Sequence, residues 1–255
     1  MFSAALFVIN NAMADEIIAT IPPLAGLVKM LDPEDKVACL LTAGSDPHHF
    51  QLSPRQVENI GNATLLVRSS RADGSWLQPN IKVTVINLWP ESDHAWLSPD
   101  AVANALPELA EALIAVRPQQ AGNIRKNLST ALTNIARTNT LLAEALEPLK
   151  DKGVIMQHPS WRRLFAVHGV PLLGILESDR HGHEHGPRHL DNALALSKQH
   201  PDAVLVGDLR HSNRSLQWLS GQADDKPILY LDGLGNCGND WIELMQQNID
   251  RIMNR

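Results

Sequence analysis

The sequence has few cysteines, few aromatic residues and no long apolar run. Two cysteines in 255 residues exclude a disulfide-rich scaffold and a zinc module built on four cysteines. One tyrosine and four phenylalanines disfavour an aromatic-lined cleft for a metal chelate or a small organic ligand. A net charge of −6 without a basic patch disfavours binding to nucleic acid or to anionic membrane surfaces.

Histidine is the residue type that the sequence has in excess. There are 11 histidines, against 22 lysines and arginines together. Because neutral imidazole is a common ligand of transition metals, the positions of the histidines carry the functional prediction.

The amino terminus predicts an exported protein. Residues 1–14 read MFSAALFVINNAMA, with an apolar run and a small-residue cleavage site before Asp15. We interpret them as the back half of a secretory signal peptide; a buried first strand is the alternative. No cysteine stands at the cleavage point, and a membrane span takes ~20 apolar residues. We therefore expect a periplasmic protein without a lipid anchor.

Eight short apolar runs predict an α/β fold. They are continuous rather than alternating, which is typical of parallel strands covered on both faces. The runs are Ile17–Ile21, Val37–Leu41, Thr64–Val67, Val83–Leu88, Val154–Gln157, Pro171–Leu176, Ala203–Gly207 and Ile228–Leu231. Helical patterns stand between them at Pro99–Val116, His189–Gln199 and Asp240–Met253. Four strands, a break and four more predict two βα, Rossmann-like lobes.

The break between the two sets of strands predicts one long, rigid helix. Apolar residues recur there at helical spacing, Pro118 suits a helix start, and Pro148 with Gly153 suits its end. We expect a first lobe at 15–117, a linking helix at 118–150 and a second lobe at 151–255. A projecting coiled-coil arm is the alternative.

Four side chains follow predicted strands, two in each predicted lobe. His48 and His94 follow the second and fourth strands, His158 follows the fifth, and Asp232 follows the last. The carboxyl ends of parallel strands are where α/β proteins place ligand-binding groups. We therefore predict that these four residues bind one metal ion; spacing alone leaves His49 as an alternative to His48.

Three imidazoles and one carboxylate suit zinc in a tetrahedral shell. The carboxylate oxygen keeps Mn²⁺ open as an alternative. Four protein ligands leave no position for a reactive water, so the ligand set favours holding or carrying the ion over hydrolysis. A zinc hydrolase would need a general base, for which Glu177 and Glu184 are the candidates.

A second histidine cluster is predicted to be a flexible, metal-collecting loop. Glycines separate its histidines, which are His181, His183, His185 and His189. The alternative is a solvated polar loop without a role. The remaining His168, His200 and His211 have no supporting context and are predicted to lie on the surface.

The two cysteines are predicted to lie apart. Cys39 belongs to a strand of the first lobe and Cys237 to a loop of the second, so a bridge would tie the lobes together across the cleft. Cys237 as an additional zinc ligand is an alternative.

Taken in order, these motifs resemble the metal-specific solute-binding proteins of ABC importers, in the zinc-binding ZnuA-type branch with a TroA-like fold. The resemblance covers nearly the whole chain after residue 14. It rests on a Gly-x-Asp-Pro-His turn running into Leu-x-Pro at Gly44–Pro54, His-x-Trp-Leu at His94–Leu97, the His158 segment, Leu-Asp-x-Leu-Gly at Leu231–Gly235 and Met-x-x-Asn at Met245–Asn248.

The resemblance implies zinc bound between two lobes, loading in the periplasm and delivery to a membrane permease, without catalysis. It puts the first ligand on His48 rather than His49, and His158, at a position where manganese-selective relatives carry an acid, favours zinc. We expect a monomer. Two features depart from the family pattern: the histidine-rich loop follows the third ligand, and Gly233 replaces a proline, which is expected to loosen the Asp232 loop.

Overall fold

The computed structural model describes residues 17–41, 45, 50–70, 82–177 and 187–255, with side chains from residue 190 onward in the last range. The predicted signal peptide lies outside these residues. So do His48, His49 and three of the loop histidines, His181, His183 and His185. His189 lies within a helix of which only the backbone is described at that point. None of the described helices is long and apolar enough to cross a membrane.

All eight predicted strands are present in the described residues, each within two residues of its predicted bounds. They are β1 (Ile17–Ala19), β2 (Val37–Cys39), β3 (Leu65–Arg68), β4 (Thr84–Asn87), β5 (Val154–Met156), β6 (Leu172–Ile175), β7 (Val204–Asp208) and β8 (Ile228–Leu231). They form two parallel four-stranded sheets, with orders β2-β1-β3-β4 and β6-β5-β7-β8. The predicted α/β fold of two parallel lobes is confirmed.

Helices flank both sheets. Those described are α1 (Pro22–Leu31), α2 (Pro54–Asn62), α3 (Pro99–Val116), α4 (Ala121–Leu146), α5 (Arg162–Val167), α6 (Pro187–Gln199), α7 (Arg214–Gln222) and α8 (Trp241–Met253). Local sequence fixes their starts: Ser53 and Gln56 form a capping box at α2, and the Asp240 side chain accepts the amide of Glu243 at α8.

Neighbouring residues of the strands are buried on opposite faces of each sheet. Ile17 belongs to the main apolar core and Ile18 to a smaller outer cluster with Leu66; likewise Met156 faces the main core and Ile155 an outer cluster. Burial on both faces explains why the strand sequences are continuously apolar. The main core runs through both lobes without a break, so apolar packing as well as the backbone joins them.

The predicted long helix is present. A 3₁₀ turn at Pro118–Gln120 leads into α4, and a second at Glu147–Leu149 ends it before Gly153, which has a positive φ of 69°. The 26 residues of α4 make a helix about 39 Å long. It packs against α1, α3 and α8 instead of projecting as an arm. A helix held on several sides resists hinge bending between the lobes.

The last helix returns to the first lobe. Helix α8 packs against α1 and α4, and Gly26 of α1 lies so close that a Cβ there would be 2.8 Å from the backbone nitrogen of Trp241. Nζ of Lys29 donates to the carbonyl of Gly238 at 2.6 Å. The lobe boundaries at 117 and 151 stay a proposal; α8 follows both in sequence and contacts α1, which precedes them, and α4, which lies between them.

The return of the chain corrects the prediction for the cysteines. Cys39 and Cys237 form a disulfide with their Cα atoms 6.0 Å apart. The prediction placed Cys237 in a loop of the second lobe, whereas that loop already leads to α8, which packs on the first lobe. The bridge therefore joins the end of β2 to the start of this crossing, and Cys237 is not a free thiol for zinc.

Candidate metal site

His94 and His158 lie at the carboxyl ends of strands in different lobes, as predicted. His94 follows β4 and precedes a 3₁₀ turn at Ala95–Leu97, with a left-handed backbone (φ 55°) that is uncommon for a residue other than glycine. Such a conformation persists where the surroundings hold it, commonly at functional sites. His158 follows β5, and Pro159 after it favours its extended backbone.

The two imidazoles meet between the lobes. Nε2 of His94 lies 3.4 Å from Nε2 of His158, and their rings are nearly perpendicular at 77°. Two nitrogens bound to one tetrahedral zinc at ~2.0–2.1 Å are separated by about 3.3–3.4 Å. The observed separation matches this distance, and in the metal-free protein it also allows a hydrogen bond between the two rings.

Glu177 lies behind His158, directly after β6. Its Oε2 is 3.3 Å from Nδ1 of His158, on the side of the ring that faces away from His94. Histidines that bind metals commonly direct their other ring nitrogen to a carboxylate, which fixes the tautomer and the ring orientation. The contact is an ion-pair distance without hydrogen-bond geometry, so Glu177 favours a proton on Nδ1 through its charge and thereby favours Nε2 as the atom left for a metal.

His211, in the segment after β7, also contacts Glu177. Its Nε2 lies 2.6 Å from Oε2 of the carboxylate. We compared the histidine, cysteine, aspartate and glutamate side chains of the described residues. One group of three has all its potential ligand atoms within 4.8 Å of one another, and it consists of His158, Glu177 and His211. A separation of 2.6 Å is a hydrogen bond and is too short for two ligands of one zinc ion. The geometry therefore favours support of His158 over a separate metal position.

The two histidines change the acidity of Glu177. Burial by itself raises its pKa, but the close contacts with His158 and His211 and the charges of both rings outweigh burial and lower the pKa to about 2. Glu177 is therefore ionised near neutral pH. A carboxylate with so low a pKa is a weak general base, which disfavours the hydrolase alternative.

Asp232, the predicted carboxylate ligand, follows β8. Its Oδ1 accepts the backbone amides of Leu234 at 3.0 Å and Gly235 at 2.8 Å. Its Oδ2 lies 3.2 Å from Nη2 of Arg210. Asn248 of α8 bonds both the backbone N–H and the carbonyl of Asp232, at 2.7 and 2.9 Å. In the part of the chain that the structure describes, the carboxylate bonds to Arg210 and its own loop rather than to His94 or His158.

The Asp232 loop is tightly held, against the expectation that Gly233 loosens it. Nε1 of Trp96 donates to the Gly233 carbonyl at 2.8 Å, and Nε1 of Trp241 donates to the carbonyl of Trp96 at 2.7 Å. A Cβ on Gly233 would lie 2.9 Å from Oδ2 of Asp208, so a side chain here would have to displace that carboxylate. The Trp96 ring also lies 5.2 Å from that of His94, so this tryptophan covers one side of the histidine.

A second acid, Asp208, lies buried beside the Asp232 loop. Burial raises its pKa, the amide of Arg210 opposes that rise by donating to Oδ1 at 2.8 Å, and the charge of Asp232 adds to it. Two neighbouring carboxylates thus share Arg210, one through its backbone and the other through its guanidinium group. The charges of His211 and His158 also oppose the rise in the pKa of Asp208, while the guanidinium group of Arg210 pairs with Asp232.

The structure corrects two of the three surface predictions. His200 is exposed, as predicted, whereas His168 is 9% exposed and buried, which lowers its pKa. His211 belongs to the site. The predicted ligands follow β2, β4, β5 and β8, because ligand-binding groups lie at the carboxyl ends of parallel strands. Applied to β6 and β7 as well, the same rule would have found Glu177 and the segment from Asp208 to His211.

Comparison with known proteins gives the family. The family described as zinc-uptake complex component A, periplasmic, matches residues 17–255. A putative metal-binding protein of Thermotoga maritima is 26% identical over 251 residues, with 92% of this chain and 91% of that protein covered.

Solved structures share the fold. A ZnuA deletion mutant with zinc bound matches with a TM-score of 0.82 at 22% identity, covering 94% of this chain and 97% of the other. A manganese-bound periplasmic protein of Candidatus Liberibacter asiaticus matches with a TM-score of 0.80 at 16% identity, covering 94% and 98%. The family match over residues 17–255, together with this architecture, shows that the chain belongs to the ZnuA family of periplasmic metal-binding proteins.

Proposed function

We propose that this protein captures Zn²⁺ between its two lobes and delivers it to the membrane subunit of an ABC importer. The proposed ligands are His48, His94, His158 and Asp232. The observation that carries the proposal is the 3.4 Å separation of the Nε2 atoms of His94 and His158, which come from different lobes. The description of the family as a zinc-uptake component supports the choice of ion.

Mn²⁺ or another divalent ion is the alternative cargo, since one similar structure binds manganese. The donor set favours zinc, because imidazole suits zinc whereas Mn²⁺ prefers carboxylate and water oxygens. Catalysis is not part of the proposal. Glu177, the described candidate for a general base, is engaged by two histidines and has a low pKa.

The apolar core supports capture with small movements. Because it runs through both lobes and α4 is packed on several sides, wide hinge opening would break buried contacts. Small rocking of the lobes and ordering of loops suffice for loading and release. We propose that the protein works as a periplasmic monomer, and that the histidine-rich segment at 181–189, whose last residues begin α6, collects zinc.

Metal content and affinity test the proposal. Native mass spectrometry of untagged protein purified without added metal should find one tightly held zinc ion per chain. His94→Ala and His158→Ala should each lower zinc affinity by orders of magnitude in a competition titration with a chelator. His200→Ala is the matched control, because His200 is exposed. Wild-type affinity in both site variants would refute the assignment.

A further inference from the structure

Arg210 forms an ion pair with Asp232, the residue predicted to be the fourth metal ligand. Its Nη2 lies 3.2 Å from Oδ2 of Asp232, and the two side chains are 20% and 9% exposed. This contact is therefore partly shielded from water, unlike a surface ion pair. The remaining oxygen, Oδ1, already accepts two backbone amides.

Arg210 is held in this position by more than one contact. The same Nη2 lies 3.3 Å from the carbonyl of Gly235 and 3.4 Å from Oδ1 of Asn236, and the Arg210 amide donates to Asp208. The guanidinium group thus bridges the segment after β7 and the loop after β8. An arginine side chain stays protonated at all physiological pH values, so its attraction to the Asp232 carboxylate persists when the pH changes.

We propose that Arg210 determines which metal this site selects, by competing with the ion for the Asp232 carboxylate. The inference rests on the proposed function and adds a specificity-determining residue to it. A cation that binds Oδ2 must displace Nη2 of Arg210 or share the oxygen with a nearby positive charge. Either way Arg210 weakens the contribution of Asp232 to metal binding.

The weakening is unequal between metals. Three of the four proposed zinc ligands are imidazoles, which suit zinc, so the carboxylate contributes a smaller share of the affinity for zinc than for a harder ion. Mn²⁺ is a harder ion that prefers oxygen ligands, and it gains less from imidazole. A positive charge on the proposed oxygen ligand therefore penalises Mn²⁺ more than zinc, which makes Arg210 a filter in favour of zinc.

Arg210→Gln tests the filter, since glutamine removes the charge and keeps a polar side chain beside Asp232. The zinc and manganese dissociation constants are measured separately on metal-free protein by competition with a chelator. We expect manganese to bind roughly tenfold or more tightly than in wild type, with zinc affinity changed by less than about threefold. Arg214→Gln is the matched control, because Arg214 is exposed at the start of α7.

A second substitution ties the effect to the carboxylate. Asp232→Asn in the Arg210→Gln background should return manganese affinity to near the wild-type value. Should Arg210→Gln not fold, Arg210→Ala is measured instead, with circular dichroism to confirm folding. An unchanged ratio of zinc to manganese affinity in a folded variant overturns the role of Arg210. Wild-type protein that binds neither metal overturns the proposed function itself, so the two failures are distinguishable.

Discussion

Replacing Glu177 with glutamine tests whether the carboxylate behind His158 serves metal binding or only the fold. The substitution keeps the size of the side chain and removes its charge. Oε2 of Glu177 lies 3.3 Å from Nδ1 of His158 and 2.6 Å from Nε2 of His211, so one atom supports two rings. Without the charge, the preference of His158 for a proton on Nδ1 weakens, and fewer molecules present Nε2 to the metal.

The expected loss follows from comparable outer-shell contacts. Removing a carboxylate that supports a metal-binding histidine typically lowers metal affinity about 10–100-fold, or about 1.4–2.7 kcal/mol. His158 is 8% exposed, so water cannot readily replace the lost acceptor. We therefore expect Glu177→Gln to lower zinc affinity within this range.

The same change has a consequence for stability that depends on pH. Since folding lowers the pKa of Glu177 from 4.5 to about 2, its ionised form stabilises the folded protein above pH 4.5. That stabilisation, of the order of 3 kcal/mol, is lost as pH falls toward 2. Metal-free Glu177→Gln should therefore unfold at lower urea than wild type at pH 7, and the gap should narrow toward pH 3.

The affinity is measured by competition with a zinc chelator at pH 7, in buffer without denaturant, where both proteins are folded. Glu144→Gln is the control, because Glu144 is exposed on α4. NMR of the His158 ring nitrogens reports the tautomer directly. A variant that loses stability but keeps wild-type zinc affinity and the wild-type tautomer would refute the reasoning and leave Glu177 a structural role only.

The other predictions concern the docking of α8. Gly26→Ala places a methyl group 2.8 Å from the backbone nitrogen of Trp241, so it should lower the free energy of unfolding in urea by about 1–3 kcal/mol. Gly61→Ala in α2 meets nothing within 4 Å and should leave the stability unchanged or raise it. Equal stability of the two variants would contradict the close packing. Replacing Cys39 and Cys237 together with alanine removes a link between residues 198 apart in sequence and should cost up to about 5 kcal/mol. Unfolding in urea measures that cost, and thiol titration of the unfolded wild type should find no free cysteine.

The fold was largely predictable because its signals are local. Strands buried on both faces need continuous apolar runs, so their number and their positions along the chain follow from the sequence. The same holds for helices such as α3, whose observed bounds of Pro99–Val116 equal the predicted ones. The position at which α8 packs was not predictable in this way. Its packing on α1 depends on close approach at Gly26, a tertiary contact that no local sequence pattern indicates.

The site was predictable only in part. His94 and His158 came from one rule about strand ends, and the structure brings them together. Arg210 and Glu177 also follow strands, but their residue types do not indicate a metal site, because arginine does not bind metals and glutamate is common on surfaces. Their roles arise from distances between segments far apart in sequence, such as the 3.2 Å between Arg210 and Asp232.

The position of α8 also bears on the order in which the protein matures. A ribosome makes the chain from its amino end, so the first sheet is complete long before the helix that covers part of α1 and α4 exists. Until residues 241–253 emerge, the apolar surface that they bury is open to chaperones and to aggregation. Losing only these carboxyl-terminal residues would thus damage the earliest-made half of the molecule.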